Sequence, residues 1–143
     1  IEDRTYEDPE CDLNDVWVGD ITDMSSVFSG SRFNGDISRW DVGSVTNMSS
    51  LFSGSKFNGD ISKWKVRKVK NMSNMFYWSS FTGENGSISG WDVSNVSTMI
   101  YMFEKSKFNG DISKWKIDEK CDVNGMFLGC PIKDEYKPKF KIK

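Results

Sequence analysis

Five basic residues, Lys63, Lys65, Arg67, Lys68 and Lys70, fall within eight positions, with Arg39 upstream. Clustered cations of this kind hold phosphates, sulfated sugars or carboxylates. The competing reading is a solvated face, because residues 1–60 carry twelve acids and four bases while residues 61–143 carry nine acids and fifteen bases. Asp36, Asp60 and Asp111 each end an Asn-Gly-Asp triplet. Stacked carboxylates can collect calcium. No D-x-D-x-D-G loop is present, and Asx turns account for the triplets without metal. Cys11, Cys121 and Cys130 leave at least one thiol unpaired within the chain; a Cys121–Cys130 staple and buried thiols both remain open. There is no His, which removes Ser-His and Cys-His nucleophile pairs and His-ligated zinc. No cofactor or metal set emerges from these residues.

What must position these groups is a repeat. F-N-G-D-I-S-[KR]-W begins at Phe33, Phe57 and Phe108. Trp40, Trp64, Trp91 and Trp115 are spaced 24, 27 and 24 apart, the extra three residues lying within Thr82–Ser87. One unit reads Ile37, Trp40, Val42, Val45, Met48, Leu51, Phe52, Phe57, and its successors repeat that apolar order. Trp40 and Val42, two apart, predict one side of a strand. Met48, Leu51 and Phe52, at i, i+3 and i+4, predict a short helical turn. Asn-Gly marks a tight turn.

These spacings predict an α/β repeat solenoid of about five 24-residue units. It would be leucine-rich-repeat-like, a parallel strand stack with short helical or 3₁₀ turns. A helix-free parallel β-solenoid is the rival. Residues 1–12 would form an N-terminal flank or cap, 13–132 the repeats, and 133–143 a C-terminal cap or tail. Tyr136, Phe140 and Ile142 are expected to fold over Ile117 and Phe127. The chain begins at Ile1 without a visible signal peptide, as a mature product or an excised piece would. No apolar run reaches the length of a membrane span.

The segments Val69–Phe76, V-x-N-M-S-x-M-F, and Ser106–Trp115, S-x-F-N-G-D-I-S-x-W, carry a resemblance. They resemble the BspA-like repeat of bacterial surface proteins, found in mycoplasmas, Listeria-type organisms and gut Bacteroides. The resemblance spans about residues 13–132. It implies a leucine-rich-repeat-like solenoid at a cell or virion surface, with roles in adhesion and recognition, and neither a catalytic residue nor an established ligand.

If Trp40 and Val42 face the core, the residues between and beside them face out. The middle column is Trp17, Asp41, Lys65, Asp92 and Lys116; Arg39, Lys63 and Arg67 flank it. This face is either a cross-strand charge ladder or a recognition surface anchored by Trp17. Asp41 and Asp92 would stand about 10 Å apart across Lys65, which keeps both ionised and unsuited to acid catalysis. The expected function is therefore non-enzymatic: an extracellular adhesion module on a bacterial cell or phage virion, binding a protein or glycan. The alternative is a structural spacer or assembly subunit, self-associating or contacting virion neighbours. Nucleic acid is not expected, since the pI is about 5.2 and no aromatics interleave the bases. Membrane insertion by this segment is not expected either.

Overall fold

The computed structural model describes residues 2–140. It overturns the α/β solenoid with a parallel strand stack. Among the described residues there is one α-helix, α1 (Glu2–Glu7), and one 3₁₀ turn, Asp134–Tyr136. Among the described residues no strand or sheet forms; there are isolated parallel bridges, Asp23 with Asn47, Asn47 with Asn71, Asn71 with Thr98, and Thr98 with Asp122. What forms is a stack of β-turns.

The reason lies in where the amide hydrogens go. In the unit 48–55, Leu51 N–H donates to the Met48 carbonyl and Ser55 N–H to Phe52, each closing a four-residue turn. The third residue of each turn, Ser50 and Gly54, has φ of +56° and +65°. That is the signature of a type II turn, and it stops a right-handed helix within one turn. The alternate amides of Met48, Ser50, Phe52 and Gly54 point to the next unit and donate to the carbonyls of Asn71, Ser73, Met75 and Tyr77. The units beginning at Met24, Met72 and Met99 repeat this arrangement, so four bonds of 2.7–3.0 Å cross each junction. The left-handed positions recur as Ser26 and Gly30, Asn74 and Trp78, Tyr101 and Lys105, and Gly125 and Gly129. An apolar i, i+3, i+4 pattern suits two consecutive turns as well as a helix, because a four-residue turn nearly matches the helical period. The segment expected as a strand is likewise turned, with Trp40 N–H on Ile37 and Val45 N–H on Val42.

The apolar column the repeat predicts is buried. Ile37, Trp40, Val42, Val45, Met48, Leu51, Phe52 and Phe57 are all 5% exposed or less, as are their equivalents through Trp115. The Phe rings stack from unit to unit, Phe52 on Phe76 at 5.6 Å and Phe76 on Phe103 at 5.4 Å. Each buried indole also needs a polar partner. It finds the carbonyl of the preceding unit's aliphatic residue: Trp40 Nε1 on Leu13, Trp64 on Ile37, Trp91 on Ile61 and Trp115 on Ile88, at 2.9–3.1 Å. Trp64 stacks on Trp40 at 6.4 Å, but no ring contact joins it to Trp91 among the described residues. The insertion is not a free loop: Asn85 donates to the Asn58 carbonyl, and Gly86 lies against Asp60.

Both ends are covered on one side. Pro9 accepts from Asn34 N–H, and Arg4 pairs with Asp15 at 3.0 Å. At the other end Ile132 and Pro138 are buried, Tyr136 packs on the core, and the Tyr136 carbonyl accepts from Ile112 N–H. Lys137 Nζ lies 5.6 Å above the Phe127 ring. Phe140, expected as part of the cover, is 42% exposed, and Ile142 lies outside the described residues. The cysteines form no disulfide. Burial pushes the Cys130 thiol above its ordinary pKa, so it stays protonated.

Candidate functional site

The alternation that buries Trp40, Val42, Trp64, Val66, Trp91 and Trp115 turns their neighbours outward. Trp17, Arg39, Asp41, Lys63, Lys65, Arg67, Asp92 and Lys116 are all exposed, Trp17 at 72%. The hydrogen-bond register places Trp17, Asp41, Lys65, Asp92 and Lys116 at equivalent positions of successive units. They lie on the irregular links between successive turns rather than on strands. Asp92, Lys114 and Lys116 come together along an open groove of about 450 Å³. Arg67 belongs to the same neighbourhood, since its carbonyl accepts from Asn95 Nδ2. Trp17 is held locally, its Nε1 on Asp20 and its ring over Gly19. Asp41 accepts from Gly43 N–H. The cross-strand charge ladder does not form: among the described residues no ion pair joins Asp41, Lys65, Asp92 and Lys116.

Asp36, Asp60 and Glu10 line a second open groove, of about 520 Å³. Asp36, Asp60 and Asp111 each accept from the N–H two residues on, in Asx turns. No three acidic or thiol groups among the described residues converge as metal ligands. The Ser38 hydroxyl and amide hold Asp36 below the ordinary carboxylate range, and Ser113 and Ser94 do the same for Asp111 and Asp92. Arg67 adds a smaller effect at Asp92, and at Asp23 the Ser25 amide is the main cause. These groups are more acidic folded than unfolded, so they stabilise the fold above their unfolded pKa of about 3.9. That contribution disappears as pH falls through the lower folded values. Unfolding followed against pH should therefore show a midpoint that is flat from neutral to about pH 5 and declines below about pH 4. Ser94→Ala should bring the Asp92 carboxyl titration, read by NMR, back toward the ordinary range.

A second exposed group was not anticipated from the repeat. Trp78, Tyr101 and Leu128 are 55%, 41% and 56% exposed. Lys105 Nζ sits 4.8 Å over the Trp78 ring, and Tyr77 meets Trp78 edge-on at 6.3 Å. The available signal was departure from the repeat. Trp78 and Lys105 occupy the position held by Gly30, Gly54 and Gly129, and Tyr101 occupies that of Ser26, Ser50 and Gly125.

No curated protein and no solved structure matches the chain. A family profile matches residues 5–85 and 77–135, nearly the whole length. It is the repeat itself, the paired turns and the Trp and Phe columns between them, that falls within the matched segments, and the chain belongs to the family described as mycoplasma proteins of unknown function, DUF285.

Proposed function

We propose that this chain is a non-enzymatic, surface-exposed recognition module of the BspA-like kind, which takes a protein or glycan on its polar face. The observation that carries the reading is the contrast along each unit. The core side is closed by rings and aliphatic groups, while Arg39, Asp41, Lys63, Lys65, Arg67, Asp92 and Lys116 all project outward beside Trp17. No ion pair among the described residues neutralises these charges. Asp41 and Asp92 cap local turns, and the five basic side chains are in no ion pair among the described residues. The setting that fits is extracellular, on a bacterial cell or a phage virion. No helix among the described residues is long and apolar enough to cross a membrane.

A glycan and protein array probed with the full chain tests this. The wild type should bind a defined subset. Trp17→Ser combined with Lys65→Glu should lower that binding at least about tenfold with an unchanged melting temperature. An array without hits, or a double variant that binds as well as wild type, would contradict it. The charge asymmetry favours one second reading, an assembly subunit that associates acidic end to basic end. Sedimentation would then show an oligomer that dissolves at high salt.

A further inference from the structure

We propose that Trp78, Tyr101 and Lys105 form a second binding site, for a pyranose sugar that carries a carboxylate. It deepens the recognition reading by naming a ligand class, and it uses a surface other than the polar face. The first observation is backbone conformation. Trp78, Tyr101 and Lys105 each have φ of +55°, the left-handed region that disfavours large side chains. Elsewhere their column positions are filled mostly by Gly and Ser. The second is the openness of the Trp78 column at the units before it. A Cβ built at Gly30 meets nothing within 4 Å, and one at Gly54 meets only the Gly30 backbone, at 3.8–3.9 Å. Side chains at this column point to solvent, and Trp78 is more than half exposed. A large ring held in a costly conformation with more than half of its surface left to solvent is an outlier, and such outliers cluster at ligand sites.

The composition of the patch selects the ligand. Exposed aromatic rings offer flat apolar faces that match the C–H face of a pyranose. Tyr101 lies over Gly125 with Leu128 beside it, which holds its ring in place. Lys105 is already drawn to the Trp78 ring. Lys107 flanks the site, its N–H donating to the Ser79 carbonyl next to Trp78. Neither ammonium is in an ion pair among the described residues. Glu104 is the one carboxylate in the patch, half-buried, so two lysines leave it net positive. The exposed apolar area is roughly 400 Å² from ordinary side-chain sizes, about half of what one partner contributes to a stable protein interface. One or two sugar rings fit it better than a protein surface.

Calorimetry on the full chain tests this with three probes: an oligogalacturonide, neutral maltohexaose and a Glu-rich peptide. The oligogalacturonide should bind, and maltohexaose should bind about tenfold more weakly or not at all. Trp78→Gly should lose at least about tenfold in affinity while melting at or above the wild-type temperature, because glycine relieves the backbone. Lys105→Gln should erase the preference for the carboxylated sugar. Trp17→Ser with Lys65→Glu should leave this binding intact even if the polar face fails its own test. The proposal is overturned if wild type binds neither sugar, if Trp78→Gly binds as wild type does, if the Glu-rich peptide binds in place of the sugar, or if Trp78→Gly melts several degrees lower.

Discussion

Trp64→Ala is expected to lower unfolding free energy by about 3–5 kcal/mol, the usual cost of deleting a large buried ring. Trp64 is 2% exposed, stacked on Trp40 and against Phe52 at 6.2 Å. It also donates to the Ile37 carbonyl one unit away at 3.1 Å. Alanine removes the ring, opens a cavity between two units, and strands that carbonyl. Trp64→Phe separates the two effects. It keeps most of the apolar contact and loses the bond, so its cost should be about 1–3 kcal/mol. Chemical denaturation checks both. If Trp64→Phe costs almost nothing, the indole bond contributes little; if both substitutions cost the same, the bond rather than the ring packing carries the effect; if neither moves the midpoint, the stacked-unit packing is wrong.

Truncation after Cys130 is the second large effect. It removes Ile132 and Pro138, both buried, together with Tyr136, whose carbonyl accepts from Ile112 N–H. Lys137 also leaves the Phe127 ring. Losing two buried apolar side chains and uncovering Trp115, Ile112 and Phe127 should cost at least about 3 kcal/mol, or roughly 10 °C in melting temperature. The shortened chain should also aggregate, because an uncovered repeat end exposes core side chains. An unchanged melting temperature with monomeric behaviour would show that residues 131–140 do not act as a cover. Phe140 contributes less to this expectation, being 42% exposed.

The core was legible in the sequence and the backbone was not. Period, spacing and residue type identify Ile37, Trp40, Val42, Met48 and Phe52 as interior, because an apolar column must be buried whatever the local conformation. The same spacing does not separate a helix from two type II turns. Ser26 and Ser50 hide the difference, since serine at a left-handed position carries no glycine signal; Gly30, Gly54, Gly125 and Gly129 do. The outward direction of Arg39, Asp41, Lys65 and Asp92 was readable from alternation with the buried Trp and Val residues. The missing charge ladder was not, because ion pairing depends on side-chain distances that a register does not specify. Trp78 and Tyr101 were legible in principle, as large residues in columns otherwise small.

Amide hydrogen exchange on the intact chain tests the architecture that positions both surfaces. The turn stack predicts protection of the alternate amides that cross between units: Met48, Ser50, Phe52 and Gly54, then Met72, Asn74, Phe76 and Trp78. Among the described residues the equivalent amides of Gly125, Phe127 and Gly129 donate to no neighbouring unit and should exchange fast. Exchange of Ser50 and Gly54 no slower than that of Gly125 and Gly129 would mean that no bonds cross between units, and would contradict the stack.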